Sequence, residues 1–229
     1  MWRWSTPRPH RSKKTPRQFE EERRKKVEAF KKAGILTDPV LEQALLKVPR
    51  ELFIPPYYRD YAYREVSLPL PALEAVISCP RSYPLFYQSL RLSRGDRFLE
   101  IGTRSGYGAA VAREVVGKEG IVVSLEVDRS AYAFARSNLH RLGYDDIILI
   151  RGDGYLGYDP EAPYDKICVT AAVTEMPPPL LEQLSDDGLA VAPIGRGDDQ
   201  VLTLVHKDGT TEEIATGVSY VPMVSRRRV

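Results

Sequence analysis

Four short stretches of this chain hold the residue types from which a ligand site is built. The first is Glu100-Ile101-Gly102-Thr103-Arg104-Ser105-Gly106-Tyr107, an acid and an apolar residue running into a glycine-bearing loop. Its glycines (Gly102, Gly106, Gly108) are spaced G-x-x-x-G-x-G, which is not the G-x-G-x-x-G of dinucleotide sites. Glycine at such a turn lets backbone N–H groups approach a ligand, and a helix that starts there adds its positive end. Glu126 closes the run Val122-Val123-Ser124-Leu125-Glu126, where a carboxylate can accept both hydroxyls of a ribose. Asp153, between Gly152 and Gly154, can accept from an adenine amino group while Gly154 lets the ring lie close. Thr170-Ala171-Ala172 ends a further apolar run in small residues and leaves room for a bulky ligand. Each stretch alone is as well explained by packing or a solvated carboxylate. In this order, at successive strand ends, they describe one site.

Positioning these residues requires strands that stop where they stand. The sequence predicts strands near 97–102, 121–126, 147–151, 166–171 and 189–193, with helices near 107–116, 129–142 and 178–185. Such alternation predicts an α/β fold, a doubly wound, mostly parallel Rossmann-like sheet covered on both faces. After Gly195 the pattern changes to Val201–Val205, a turn at Asp208-Gly209, then Ile214–Val221, expected as two antiparallel strands on one edge. Upstream, acids early and bases late predict a helix from about Phe19 to Ala33, closed by Gly34. Thr37-Asp38-Pro39 starts a second helix, ended by Pro49. The tyrosines at 57, 58, 61 and 63 form a proline-broken connector, either a substrate wall or, more plainly, a packed irregular segment. Residues 65–84 read as loop, followed by a helix from about Leu85 to Leu92.

A length of 229 residues with 43% hydrophobic and 28% charged content suits a globular domain with an extension. No apolar run approaches a membrane span and no leader pattern is visible, so a cytoplasmic protein without membrane contact is expected. Two cysteines and three scattered histidines make neither a disulfide framework nor a metal site. The net charge of +2 hides an asymmetry, because residues 1–34 carry +8 and the remainder −6. The first 18 residues hold six basic and no acidic side chains, with Trp2, Trp4 and three prolines. That composition predicts a disordered basic tail, either simply solvated or in contact with nucleic acid or another acidic surface.

With these residues in hand, the chain resembles the protein-L-isoaspartate O-methyltransferases, a family of class I S-adenosylmethionine-dependent enzymes. The resemblance covers about residues 35–222. It rests on Ile35-Leu36-Thr37-Asp38-Pro39, Lys47-Val48-Pro49-Arg50-Glu51-Leu52-Phe53, Leu99-Glu100-Ile101-Gly102-Thr103 with Ser105-Gly106-Tyr107, Gly152-Asp153-Gly154-Tyr155, Ala162-Pro163-Tyr164-Asp165, Val169-Thr170-Ala171-Ala172 and Pro193-Ile194-Gly195. It implies S-adenosylmethionine as cofactor, held by Glu100, Gly102, Thr103, Arg104, Ser105, Gly106, Tyr107, Glu126, Gly152, Asp153, Gly154 and Thr170. It implies protein or peptide substrates carrying L-isoaspartate, with Ser78 of Ile77-Ser78-Cys79-Pro80 holding the substrate carboxylate. The implied division is a basic tail over 1–18, a helical region with the substrate loop over 19–92, and the methyltransferase domain over 93–229.

Two departures fall near the implied site. Arg104 stands where the family has glycine; its side chain then points outward, crowds the methionine end of the cofactor, or pairs with the cofactor's carboxylate. If that position needs positive φ, arginine strains the loop. Before Ser78, the segment Pro71-Ala72-Leu73-Glu74-Ala75-Val76 lacks the family's glycines and places an acid near an anionic substrate. These changes keep open two further readings, a methyltransferase of the same fold with another substrate, and a catalytically silent homologue binding protein or nucleic acid.

Overall fold

The computed structural model describes residues 6–72 and 75–225. Helix α1 (Pro16–Lys32) starts on a reciprocal cap. The Thr15 hydroxyl accepts from the Gln18 N–H at 3.3 Å, and the Gln18 side chain accepts from the Thr15 N–H at 2.8 Å. Helix α2 (Pro39–Lys47) is capped by Asp38, which accepts from Val40 N–H at 2.8 Å. Two 3-10 turns, Arg50–Phe53 and Pro56–Tyr61, then lead to a two-residue hairpin, β1 (Leu68–Pro69) with β2 (Val76–Ile77), and to α3 (Ser82–Ser89). The alternation follows: β3 (Arg97–Ile101), α4 (Tyr107–Val116), β4 (Ile121–Glu126), α5 (Arg129–Arg141), β5 (Ile148–Arg151), β6 (Tyr164–Val169), α6 (Pro178–Glu182) and β7 (Leu184–Arg196). Strands β8 (Asp199–His206) and β9 (Thr211–Val218) complete it.

The seven-stranded sheet runs β5-β4-β3-β6-β7-β8-β9. The pairs from β5 to β7 are parallel, and β8 and β9 add antiparallel at one edge. From β3 the chain winds outward to β4 and β5, then returns to β6 on the other side of β3. The carboxyl ends of β3, β4 and β6 therefore flank the switch point, where an open α/β sheet leaves a crevice. Neighbouring residues feed opposite faces. Phe98 and Val122 join a cluster with Phe19, Phe30 and Leu41, while Leu99 and Val123 join Ile167 and Leu180 on the other side. Burial on both faces explains the near-continuous apolar runs of these strands. The α/β architecture and the antiparallel edge stand as the sequence predicts.

Two local expectations are corrected. The third helix is Ser82–Ser89, not 85–92, because Pro84 sits inside its first turn, where a missing N–H costs nothing. Of the tail expected to be disordered over 1–18, residues 6–15 lie along the domain and the helix already begins at Pro16. Asp60 accepts from the Ser12 hydroxyl (2.6 Å) and Lys13 N–H (3.2 Å) and pairs with His10 Nε2 (2.9 Å). Lys14 Nζ donates to Glu22 and to the Asp60 carbonyl, both at 2.7 Å, and the Tyr61 hydroxyl donates to the Arg8 carbonyl at 2.9 Å. The basic side chains nearest the domain thus find acids of this same chain. Trp2 and Trp4 lie outside the described residues. Among the tyrosines, Tyr61 and Tyr63 are built into the packing and Tyr57 is exposed, so the connector reads as a packed segment.

Candidate active site

At the end of β3 the chain turns through three residues with positive φ: Gly102 (99°), Arg104 (56°) and Gly106 (85°). The turn is fixed from β4. Gly102 and Thr103 N–H donate to the Leu125 carbonyl (2.8 and 3.1 Å), and Arg104 N–H donates to Glu126 Oε2 (2.9 Å). It is fixed from β6 as well, where the Thr170 hydroxyl donates to the Ile101 and Gly102 carbonyls, both at 3.0 Å. A Cβ on Gly102 would stand 2.3 Å from that hydroxyl oxygen, so close approach and backbone conformation both demand glycine.

Glu100 lies beneath the turn, 1% exposed. Its Oε2 accepts from the Ser124 hydroxyl at 2.6 Å and its Oε1 from Tyr87 at 3.3 Å, with Thr103 Oγ1 2.6 Å from Ser124 Oγ. Burial raises its pKa to about 7 against the pull of those two hydroxyl bonds, and the nearby Glu126 raises it further. Glu126 is also buried, its Oε1 accepting from Asp128 N–H at 3.0 Å. Each of its oxygens keeps a lone pair for a further donor.

Above these strand ends opens a cleft of about 750 Å³, inside the range of roughly 300–1,000 Å³ that holds small ligands and cofactors. Its floor is Gly102, Glu126, Gly152 and Gly154, and Leu70, Ala72 and Ala75 line another side. Val221, Pro222, Met223 and Val224 form a further wall. That last segment is strapped down by two backbone bonds with Ala172 (both 2.8 Å) and by the Ser225 hydroxyl donating to Asp153 at 2.5 Å. A Cβ on Gly154 would meet Ile101 at 2.3 Å and Met223 at 2.9 Å, so glycine keeps this floor low. A cradle of glycines beside a buried carboxylate fits a nucleoside-bearing cofactor of the S-adenosylmethionine type.

A second, narrow cavity of about 20 Å³ leads from Gly102 and Thr170 to Ser78, Tyr83 and Tyr220. A third, of about 300 Å³, opens beyond Ser78 past Cys79, Arg81 and Ser82. Arg104 lines all three spaces, so they meet at its position. The Ser78 backbone is held from within by Arg50, which is 1% exposed. Arg50 Nη2 donates to the Ser78 carbonyl at 2.6 Å and Nε to the Ala62 carbonyl at 2.8 Å. Its guanidinium lies over the rings of Tyr83 and Tyr107, 5.5 and 5.2 Å from their centroids.

The structure therefore gathers Gly102, Arg104, Glu126, Gly152 and Gly154 around the large cleft, with Glu100, Thr103, Thr170 and Ser78 along the narrow cavity. It does not bring Ser105, Gly106, Tyr107 or Asp153 to either. Ser105 is buried and gives its carbonyl to Asn138 Nδ2 at 3.0 Å. Gly106 packs on Leu139 as the first cap of α4. Tyr107 is buried against Tyr83 and Phe53. These three build the helix start rather than a ligand wall. Asp153 sits at the rim, where its carboxylate caps Tyr155 N–H and takes Ser225. Glu74 and Arg226–Arg228 lie outside the described residues.

Sequence reasoning missed Val127 and Asp128, Arg50, and the 221–224 wall. An Asp followed by a helical run is a cap signal that would have found Asp128. The wall has no such signal, since backbone bonds hold it. Among the described residues no helix is long and apolar enough to cross a membrane, and no group of three or more His, Cys, Asp and Glu could hold a metal ion.

Comparison with known proteins converges on one family. The family model described as Protein-L-isoaspartate(D-aspartate) O-methyltransferase matches residues 21–228. Protein-L-isoaspartate O-methyltransferase 1 of Archaeoglobus fulgidus is 43% identical over 91% of this chain and 95% of its own length. The namesake protein of Ignicoccus hospitalis is 39% identical over 90% and 99%. A solved protein-L-isoaspartate O-methyltransferase superposes with a TM-score of 0.79 at 33% identity, over 89% of this chain and 66% of that one. A Plasmodium falciparum structure, titled as a putative member in complex with S-adenosyl-L-homocysteine, shares the fold with a TM-score of 0.77 at 24% identity, over 87% and 97%.

Proposed function

The chain belongs to the protein-L-isoaspartate(D-aspartate) O-methyltransferase family, and from that premise we infer that it methylates the carboxylate of L-isoaspartyl residues in damaged proteins. When bound, S-adenosylmethionine supplies the methyl group: the acceptor oxygen's lone pair forms the O–C bond as the C–S bond breaks and its electron pair returns to sulfur. The acceptor needs no general base, because a carboxyl of this kind, with an ordinary pKa near 3.3–3.7, is ionised at neutral pH. The chain's task is then alignment, which can contribute roughly 7–11 kcal/mol in favourable cases. In this reading Glu126 accepts the ribose hydroxyls, Asp153 takes the adenine amino group from the rim of the cleft, and Ser78 holds the acceptor. The neutral ester then collapses through a succinimide, which returns part of the damaged residue to normal aspartate. We place the enzyme in the cytoplasm, where Cys79 and Cys168, both free thiols, stay reduced.

The observation that supports this reading best is that the large cleft and the Ser78 cavity meet at Gly102 and Arg104, at the switch point of the sheet. Calorimetric titration with S-adenosylhomocysteine tests it. Wild type should bind in the micromolar range, about −8 kcal/mol, and Glu126→Ala should weaken binding at least tenfold. Equal affinity in the two proteins would remove Glu126 from the cofactor site.

A further inference from the structure

Arg104 is the one non-glycine with positive φ in the turn at the cofactor cleft, and three facts about it belong together. Its backbone sits at φ 56°, a conformation that costs an arginine and persists only where the surroundings enforce it. Its N–H is already spent on Glu126. Its guanidinium has no hydrogen-bond or ion-pair partner among the described residues, and the residue, partly buried, lines the large cleft, the narrow cavity and the space beyond Ser78. A cation that meets no counter-ion among the described residues, at the meeting point of two clefts, is placed to take an anion from a ligand.

We propose that Arg104 is a specificity residue that pairs with the carboxylate of the methyl acceptor, selecting ionised acceptors over neutral ones. The proposal rests on the isoaspartyl methyltransferase reading above. Transfer in that reading takes place where the cofactor cleft meets the Ser78 cavity, so the group that must come to Arg104 is the attacking carboxylate. A planar guanidinium can hold it by one oxygen and leave the other to react. Glu126 accepts from the Arg104 and Asp128 N–H groups and makes no ion pair with the Arg104 guanidinium. Ser78 and Tyr220 line the same cavity and offer neutral hydroxyls. Arg81, the other cation there, stands on the exposed outer side.

The pairing has a direction built into it. Esterification removes the acceptor's charge, so Arg104 grips the substrate carboxylate and lets go of the ester. An interaction strongest before the reaction lowers KM and does not raise kcat.

The test compares wild type, Arg104→Gln and Arg81→Gln with an isoaspartyl peptide and its carboxamide analogue, which has the same shape and no charge. Binding to each protein saturated with S-adenosylhomocysteine is measured by calorimetry, and methyl transfer to the carboxylate peptide by KM and kcat. Wild type should prefer the carboxylate over the carboxamide by about tenfold or more. Arg104→Gln should lose most of that preference, with KM raised about tenfold and kcat within about twofold. Arg81→Gln should keep the preference. An unchanged preference in Arg104→Gln, or its loss in Arg81→Gln instead, overturns the proposal. Weaker S-adenosylhomocysteine binding by Arg104→Gln with an unchanged peptide preference also overturns it, and assigns the guanidinium to the cofactor's carboxylate. Failure of wild type to methylate any isoaspartyl peptide overturns the underlying reading, and this proposal with it.

Discussion

Glu100 still holds its proton at a pH where most carboxylates have lost theirs, because burial outweighs the two hydroxyls that favour its charged form. The folded pKa of about 7 lies above the ordinary 4.5, so between those values the folded protein binds more protons than the unfolded chain. Stability from this group is therefore complete below the ordinary value and is lost as pH rises through the folded one, by about 3 kcal/mol in total. Glu100→Gln keeps the shape and removes the titration. Urea unfolding at pH 5 and pH 8 should show wild type losing roughly 2–3 kcal/mol more than Glu100→Gln over that interval; parallel losses would mean that Glu100 is ionised throughout. The position of Glu100 was legible in the sequence, but its role was not. The spacing put an acid before Gly102, while the contacts that bury it come from Ser124 and Tyr87, on elements no local pattern connects. Arg104 is similar: its sequence departure was visible, and its left-handed backbone follows only from the bonds that fix Gly102, Thr103 and Glu126 around it.

The elements read most clearly from the sequence are those whose apolar period and caps agree. Helix α4 and strand β4 fall on the predicted limits, and α5 within one residue. The amino-terminal segment shows the opposite case. Its composition predicts disorder because no acid lies within it, yet its partner is Asp60, reached only after α1 and α2 fold back. Burial raises the Asp60 pKa, but bonds from Ser12, His10 and Lys13 N–H, with Lys14 nearby, outweigh it and hold the carboxyl down at about 2. Docking is therefore complete above the ordinary carboxylate range near 3.8 and is lost as pH falls towards 2. Charge-assisted bonds of this kind contribute roughly 1.5–3 kcal/mol each at best, and less at a partly exposed site. Asp60→Ala should accordingly free residues 6–15 and speed tryptic cleavage at Arg11, Lys13 or Lys14 by about tenfold, a factor worth about 1.4 kcal/mol. Cleavage at the wild-type rate, read by mass spectrometry, would show that Asp60 does not hold the segment.

At the scale of the whole molecule, the helices ahead of the sheet are not a separable unit. Phe19, Phe30 and Leu41 of α1 and α2 share one buried cluster with Val111 of α4, Val122 of β4 and Leu204 of β8. Arg50 joins the same parts from inside, one nitrogen on the Ser78 carbonyl and its face on Tyr107 at the head of α4. The loop that would carry the acceptor and the turn that would carry the cofactor are thus seated on one core. A boundary drawn in the sequence near residue 92 follows the change of pattern from helices to alternation, and pattern says nothing about which side chains interdigitate. A shared core makes unfolding cooperative. Far-UV circular dichroism, which reports all helices, and near-UV dichroism, which reports buried tyrosines such as Tyr87 and Tyr107, should therefore give coincident urea midpoints. A ligand at a hundred times its Kd stabilises the state it binds by about 2.7 kcal/mol. S-adenosylhomocysteine at that excess should move both midpoints together in wild type, and much less at the same concentration in Glu126→Ala. An earlier far-UV phase that the ligand leaves in place would mean that α1 and α2 unfold on their own; the acceptor loop would then be tied to the cofactor site by Arg50 alone and not by the core beneath both.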